Sequence, residues 1–246
     1  MRSVIVLPTY NEKENLAPLV REIFLVGIKD LHIIVVDDNS RDKTAETAEA
    51  LAKEDSRIRV IRRSPPNGVG FALRDGLAKA EGEYVVIMDS DFQHIIPEMR
   101  DLFDAVAGGA DVAVGSRFSR KSVLLKYDFS KIIANRAFHI LANLLLGKHF
   151  RDISNNLKIF RRDVIKHLNI ESDAFSANVE TGLTPIMLGY RVAEVPISWV
   201  NRDVEMGVST FKIFKAGPGY FKILMRFLRY RMTGKWRNES RDIHKG

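Results

Sequence analysis

The chain has 246 residues, 46% hydrophobic and 28% charged, a globular composition that argues against disordered and fibrous classes. The absence of cysteine excludes disulfide bonds, thiolate metal sites and a cysteine nucleophile, and favours a cytosolic location. The net charge of +7 is concentrated in residues 212–246, where ten basic and two acidic residues give +8, leaving −1 for the rest of the chain; this predicts an anionic partner, either phospholipid or nucleic acid.

The first half of the chain alternates short β-branched runs with helical patterns, which predicts parallel β-α-β units. The apolar run near the first residue is too short for the core of a signal peptide and is expected to form a strand. The expected fold is therefore α/β, with a mostly parallel sheet flanked by helices. Strands are predicted at residues 3–7, 32–36, 57–61, 84–88 and 111–115, and helices after Asn11, after Asp42, at 70–80 and after Pro97.

After Arg117 the alternation stops. The patterns that follow predict a helix at 131–146, a strand at 157–160, a helix near 179–188 and a strand at 191–200. For the first of these helices two orientations stay open, an apolar stripe on the core or on a membrane interface. That stripe comprises Ile132, Ile133, Ile140, Leu141, Leu144 and Leu145.

A C-terminal amphipathic helix is predicted at 220–232. No run reaches the ~18 to 20 apolar residues of a membrane-spanning helix. We expect this helix to be a peripheral anchor on an anionic membrane, with core packing as the strong alternative and nucleic-acid binding as a rival that we do not favour. Its apolar stripe is Phe221, Leu224, Met225, Leu228 and Met232, and its basic face is Lys222, Arg226 and Arg229.

Three oxygen-bearing side chains follow the strand predicted at 84–88. Asp89, Asp91 and Gln93 lie on one side if the backbone stays extended. Two carboxylates and an amide oxygen suit Mg²⁺ or Mn²⁺, and such an ion stabilises the charge of a departing nucleoside diphosphate. A solvated acidic turn is the alternative interpretation of this motif alone.

Two further polar segments stand near strand ends. Asp38, in the run Asp37-Asp38-Asn39-Ser40, is a candidate for hydrogen bonds from a ribose or a base, although capping of the next helix by Asp42 or Ser40 is an alternative for this run. The glycine-containing segment 67–70 is expected to form a tight turn before a helix rather than a dinucleotide loop.

Taken in order and spacing, four motifs resemble those of glycosyltransferase family 2, and the third more narrowly resembles polyprenyl-phosphate sugar transferases of the dolichol-phosphate mannose synthase type. The motifs are Pro8-Thr9-Tyr10-Asn11-Glu12, Asp37-Asp38-Asn39-Ser40, Asp89-Ser90-Asp91-Phe92-Gln93-His94 and Gly115-Ser116-Arg117. The resemblance implies a GT-A type nucleotide-sugar-binding fold and a metal-dependent, inverting transfer of mannose or glucose. The donor would be a GDP- or UDP-sugar and the acceptor a polyprenyl phosphate at a membrane surface.

The resemblance also assigns roles by position. Donor-binding roles fall on Pro8, Tyr10, Glu12, Asp38, Asp89 and Arg202. Metal-binding roles fall on Asp89, Asp91 and Gln93, and catalytic roles on Asp91, Arg117 and Glu180. The acceptor phosphate is expected to contact Arg117, Lys131 and Arg136. Two departures from the family pattern are a longer arginine-to-glycine spacing in the loop 202–212 and Asn156 where glycine is usual.

Glu180 carries the main alternative, because family members that act on sugar hydroxyls use an aspartate general base in this segment. A hydroxyl acceptor needs such a base, whereas a phosphate monoester is already ionised at neutral pH. The second hypothesis is therefore transfer to a hydroxyl of a glycan or glycolipid with Glu180 as base; a salt-bridged structural role is equally open for this residue. A sugar-phosphate nucleotidylyltransferase ranks low, since the N-terminus lacks the glycine-rich, arginine-containing motif of that class.

We expect residues 1–118 to bind donor and metal, 119–212 to shape the acceptor side of the same domain, and 213–246 to form a basic membrane-associating tail. The expected location is cytoplasmic, peripheral on the inner face of the membrane. A separate membrane protein is a further partner that this arrangement allows.

Overall fold

Strands and helices alternate through the first half of the chain and then give way to longer helices. A computed structural model describes residues 2–91, 95–200 and 213–243, so Gln93 and Arg202 lie outside the described residues. The elements are β1 (Ser3–Thr9), α1 (Lys13–Leu25), β2 (Leu31–Asp37), α2 (Thr44–Glu54), β3 (Ile58–Arg62), α3 (Val69–Lys79), β4 (Tyr84–Ile87), a 3₁₀ turn (Ile96–Glu98), α4 (Met99–Ala107), β5 (Val112–Ser116), β6 (Leu124–Leu125), α5 (Phe129–Leu146), β7 (Lys158–Arg161), α6 (Arg162–Ile165), α7 (Ala177–Leu188), β8 (Val192–Pro196), β9 (Trp199–Val200), α8 (Ile213–Met232) and α9 (Lys235–Ile243).

A seven-stranded sheet in the order β3-β2-β1-β4-β7-β5-β8 forms the centre of the molecule. β7 pairs antiparallel with β4 and with β5, and all other pairs in this sheet are parallel. The prediction of a mostly parallel sheet is confirmed. Because β7 runs against its neighbours, the segment that precedes Lys158 enters the sheet at the edge where β4 and β5 end.

The strand predicted at 191–200 is in fact two strands. β8 pairs with β5 in the main sheet, whereas β9 pairs with β6 in a separate two-stranded sheet. The break falls at Ser198, whose backbone N–H and hydroxyl both donate to the Glu98 carboxylate. The interruption turns the chain so that Trp199 reaches the edge of the sheet that carries the site.

Apolar side chains pack on both faces of the sheet, as the near-continuous hydrophobic runs of β1, β2 and β4 require. α1, α2 and α4 cover one face, and α3 with the start of α7 covers the other. A third cluster lies among α5, α7, α8 and α9, away from the sheet, and includes Ala142, Leu183, Leu224 and Phe227.

Helix α5 turns most of the predicted apolar stripe outward. His139, Ala142 and Leu146 are its buried residues, whereas four members of the predicted stripe, Ile133, Ile140, Leu141 and Leu144, are exposed. A core-facing stripe is therefore wrong for these four residues. The inward face includes polar side chains that, as described below, hydrogen-bond the chain segment that precedes β7.

Helix α8 belongs to the folded body rather than to a detached tail. Ile223, Leu224 and Phe227 are buried in the third cluster, while Phe221, Met225 and Met232 remain exposed. The predicted stripe is thus divided between core packing and solvent. Within residues 2–91, 95–200 and 213–243, no helix combines the length and apolar character that a bilayer span requires.

Candidate active site

A cleft of about 910 Å³ lies along the edge where the parallel strands end. Ligands bind at this edge in open α/β sheets. The structure brings together most of the predicted site residues here. Those that line the cleft are Pro8, Tyr10, Glu12, Asp38, Asp89, Asp91, Arg117 and Lys131.

At one end of the cleft, Asp38 organises the turn that precedes α3. Its carboxylate accepts the backbone N–H of Gly68 at 2.6 Å and pairs with Arg63, while its carbonyl oxygen accepts the Asn67 side-chain amide at 2.6 Å. A Cβ on Gly70 would lie 1.9 Å from the Ser172 carbonyl oxygen, so only glycine fits. The tight turn predicted at 67–70 is therefore confirmed, and Asp38 holds it.

The acidic pair lies in the middle of the cleft. Asp89 follows β4, and one oxygen of its carboxylate accepts the Asn156 side-chain amide at 2.7 Å. Asp91 lines the same wall. The two carboxylates lie at one strand end, and the second oxygen of Asp89 takes no part in the hydrogen bond with Asn156. Such a pair fits a hard divalent cation such as Mg²⁺ or Mn²⁺. No third acidic or histidine ligand joins them among the residues that the structure describes.

Arg117, after β5, is fixed by a two-pronged ion pair with Asp152. Nε and Nη2 of Arg117 donate to the two carboxylate oxygens at 2.7 and 3.0 Å, and its backbone N–H donates to one of them at 3.1 Å. Burial acts to lower the pKa of Arg117, but the negative charge of Asp152 and its hydrogen bonds to the guanidinium act in the opposite direction, so the pKa is raised overall. Trp199 stacks 5.2 Å from the guanidinium. Arg117 thus presents a permanent, oriented positive charge to the cleft.

The polar face of α5 holds the segment that supplies Asp152. Asn135 Nδ2 donates to Ser154 Oγ at 3.0 Å, His139 Nε2 accepts the Ile153 N–H at 3.0 Å, and Asn143 bonds both backbone groups of Phe150. Positions 135, 139 and 143 follow at intervals of four, one face of a helix. A polar helix face is therefore used to position a backbone segment beside Arg117.

His139 makes the stability of this arrangement sensitive to acid. Burial lowers the pKa of its imidazole to about 4, although Asp152 acts in the opposite direction. Between pH 6.5 and 4 the unfolded chain binds a proton that the folded chain does not, so stability falls as pH falls. We expect a loss of about 3 kcal/mol in unfolding free energy over this range.

The loss of unfolding free energy is measured by urea unfolding at several pH values. We expect the His139→Gln variant to lack most of this pH dependence. The control, His32→Gln on β2, should retain the dependence because His32 bonds Asp30 at the surface. An unchanged pH profile in His139→Gln would rule out this origin.

A buried lysine that sequence reasoning missed lies beneath the acidic pair. Lys158 Nζ donates to the carbonyl oxygens of Asn155 and Asn178. Burial lowers the pKa of this ammonium to about 7, with Asp89 and Asp152 acting against that shift. The only indication that Lys158 is buried is its pairing in the sheet with Ile87 of β4 and Val114 of β5, and this pairing depends on the direction of β7.

Two predicted site residues lie away from the cleft. Glu180 is buried on α7, accepts the backbone N–H groups of Glu171 and Ser172 at 3.0 Å each, and pairs with Arg226 of α8. Glu180 thus makes the ion pair of the salt-bridged alternative and does not line the cleft. Arg136 donates to the Arg151 carbonyl and packs on the ring of Phe118, over which the Arg117 guanidinium also lies, but Arg136 does not line the cleft.

Comparison with known proteins identifies relatives of the whole chain. The family model described as Glycosyl transferase family 2 matches residues 4–168. Polyprenol monophosphomannose synthase from Mycolicibacterium smegmatis is 31% identical over 229 residues, which cover 90% of this chain and 85% of that protein. Dolichol-phosphate mannosyltransferase from Pyrococcus furiosus is 31% identical over 252 residues, 100% of this chain and 67% of that protein.

A similar fold occurs in glucosyl-3-phosphoglycerate synthase from Mycobacterium tuberculosis, whose structure is solved with Mn²⁺ and uridine-diphosphate-glucose. The TM-score is 0.65 at 21% identity, covering 91% of this chain and 76% of that one. At this identity the likeness establishes the fold alone, and the GT-A type architecture predicted from the sequence is confirmed.

Proposed function

The chain belongs to glycosyl transferase family 2, and on that premise we propose that it transfers a sugar from a nucleotide-sugar to a polyprenyl phosphate, with inversion at the anomeric carbon. Mannose is the favoured sugar, because the relatives named above are mannose transferases. Glucose is the second candidate.

The cleft itself carries this proposal, because its two ends differ in chemistry. One end is built from the polar strand-end residues, including Tyr10, Asp38 and Asp89. The other end runs between α5 and α8 and is apolar, lined by Phe138, Leu141, Tyr220, Phe221 and Leu224. A nucleotide-sugar matches the first end and an isoprenoid chain the second, so the reacting groups meet between them.

The reaction needs no protein base. An oxygen of the ionised acceptor phosphate attacks the anomeric carbon while the bond from that carbon to the donor phosphate breaks, and the electron pair leaves with the nucleoside diphosphate. Glu180 supports this acceptor rather than a hydroxyl, because the only predicted base is locked in an ion pair with Arg226. Arg117 and Lys131 supply positive charge for the acceptor phosphate.

Asp89 and Asp91 would hold the divalent cation, which when bound stabilises negative charge on the leaving diphosphate. Gln93 and Arg202 stay proposals for the metal and the diphosphate, and both lie outside the described residues. The orientation of Asp89 by Asn156 supports this role, since it fixes one carboxylate oxygen and leaves the other outside that hydrogen bond.

A donor screen tests the proposal. Purified protein with Mn²⁺ is incubated with GDP-mannose, GDP-glucose, UDP-glucose or UDP-mannose, with and without a polyprenyl phosphate, and release of nucleoside diphosphate is measured. We expect rapid release from one donor only when the lipid is present. Release that ignores the lipid, or none with any donor, would contradict the proposed function.

We further propose that α5 and α8 dock on an anionic membrane, with the apolar end of the cleft facing the lipid. Their outer surfaces expose Ile140, Leu144 and Phe221, beside the basic Lys222 and Arg229. Insertion of these apolar side chains, together with an electrostatic attraction of roughly 1 kcal/mol per basic residue, is sufficient for reversible attachment to an anionic membrane. This would place the chain peripherally at the membrane face that bears its donor.

Leu144→Asp should reduce binding to vesicles of anionic phospholipid without destabilising the fold, because this side chain is 77% exposed. The measurement is co-sedimentation at low salt. Leu25→Asp is the matched control, since Leu25 is also 77% exposed but lies at the end of α1. If both variants bind like the wild type, α5 does not contact the membrane.

A further inference from the structure

Three asparagine side chains in the cleft wall have an amide oxygen that accepts no hydrogen bond from the described residues. They are Asn135 of α5, Asn156 before β7 and Asn178 of α7. Asn156 and Asn178 are 1% and 6% exposed. A buried acceptor without a donor costs about 1–3 kcal/mol, so native proteins contain few of them. Their concentration along one cleft indicates a ligand that supplies donors.

Hydrogen bonds donated by the amide nitrogens show which end of two of these groups is oxygen. Asn156 Nδ2 donates to the Asp89 carboxylate at 2.7 Å, and a carboxylate accepts only from a donor. Asn135 Nδ2 donates to Ser154 Oγ at 3.0 Å, and that hydroxyl gives its own hydrogen to Asp152 at 3.1 Å. The unpartnered atoms of Asn135 and Asn156 are therefore oxygens, which are acceptors.

Hydrogen bonds link the three asparagines to residues on either side of the space between the proposed donor and acceptor phosphates. Asn156 is bonded to Asp89 on the metal side. Asn135 is linked through Ser154 to Arg117, whose Nη2 lies 3.3 Å from Ser154 Oγ. Asn178 joins the same segment because Lys158 Nζ donates to its carbonyl oxygen at 2.9 Å. An in-line displacement places the transferred sugar in this position.

We propose that the amide oxygens of Asn135, Asn156 and Asn178 form the subsite that accepts hydrogen bonds from the hydroxyl groups of the transferred sugar; this inference rests on the proposed function. Amide oxygens repel phosphate oxygens, so the subsite selects the polyol part of the donor and not its diphosphate. A set of fixed acceptors also discriminates sugars by the direction of their hydroxyls, because an unmatched acceptor remains unpaired.

Asn178→Ala is the cleanest test, because the structure describes no hydrogen-bond partner for the amide oxygen of Asn178. We expect its melting temperature to equal or exceed that of the wild type, since an unpartnered buried acceptor is removed. Calorimetric titration with Mn²⁺ should give about tenfold weaker binding of the nucleotide-sugar, equivalent to about 1.4 kcal/mol, with binding of the nucleoside diphosphate unchanged. The double variant Asn135→Ala/Asn178→Ala should lower further the ratio of the affinity for the nucleotide-sugar to the affinity for the nucleoside diphosphate.

Asn143→Ala is the matched control on α5. Both atoms of its amide bond the Phe150 backbone, at 2.8 and 3.1 Å, and it does not line the cleft. It should lower stability and leave the ratio of the two affinities unchanged. Equal losses for both ligands in Asn178→Ala would assign the oxygens to the cation or the diphosphate and overturn the inference, as would no change in either. A wild-type protein that binds none of the four nucleotide-sugars of the donor screen would contradict the proposed function before any variant is made.

Discussion

Asp91→Ala is expected to lower glycosyl transfer by about 10³-fold or more, because it removes half of the carboxylate pair that stabilises charge on the leaving diphosphate. Asp89→Ala should have an equal or larger effect, since Asp89 also anchors the Asn156 amide. The measurement is the initial rate at saturating donor and lipid, with Mn²⁺ titrated. Chelation of metal from the wild type by EDTA should produce a loss of the same order.

The control for this loss is Asp101→Ala, which removes an exposed carboxylate from α4. It should retain wild-type turnover. Circular dichroism should show all three variants folded, because Asp89 and Asp91 lie at a strand end and not in the apolar clusters. Full activity in EDTA, or wild-type rates in Asp91→Ala, would show that the acidic pair does not hold a required cation.

Arg117→Lys is expected to lower turnover by about 10²-fold or more, although it keeps the positive charge. Lysine cannot reproduce the two-pronged bond to Asp152, so the charge loses its fixed direction toward the acceptor phosphate. Arg57→Lys is the control, since Arg57 makes a similar two-pronged pair with Asp55 at the surface. That exposed pair is worth at most about 1 kcal/mol and lies away from the cleft.

Stability separates the structural role of Arg117 from its role with phosphate. Arg117→Met alone leaves the Asp152 charge buried and unpaired, and should cost about 3–5 kcal/mol in urea unfolding. Adding Asp152→Asn removes that charge and should restore most of the stability without restoring turnover. If the double variant regains the wild-type rate, Arg117 serves only to neutralise Asp152 and does not bind the acceptor phosphate.

The donor side of the cleft was predictable because it depends on strand ends. Asp38 and Asp89 each follow an apolar run, and a parallel sheet brings the ends of such runs to one edge. The buried strands read clearly as continuous β-branched segments. Local pattern and topology therefore agree for this half of the molecule.

The acceptor side was less predictable, because it depends on one strand direction and one helix orientation. A short strand at 157–160 was expected, but nothing in its pattern indicates that β7 runs antiparallel and so brings Asp152 to Arg117 and Asn156 to the cleft wall. Hydrophobic periodicity also left the inward face of α5 undecided. That helix turns asparagine and histidine side chains inward because their partners are groups of residues 150–154, which no hydropathy pattern encodes.

Glu180 illustrates a related limit. Its place in the chain matches a catalytic position, yet its partner Arg226 lies on α8, 46 residues later. The basic face expected to meet membrane thus contributes one arginine to an internal ion pair, while Lys222 and Arg229 remain exposed. Long-range pairing of this kind is set by the packing of the third cluster and not by local sequence.

The most direct test of the central claim compares two acceptors that differ only in the phosphate. A polyprenyl phosphate and the polyprenol of the same chain length are presented in anionic vesicles with the donor selected by the screen and Mn²⁺, and glycolipid product is identified by mass spectrometry and by anomeric configuration. The account predicts product from the phosphate alone, with the configuration at the anomeric carbon inverted relative to the donor. Sugar attached to the polyprenol hydroxyl at a comparable rate, or product of retained configuration, would contradict it.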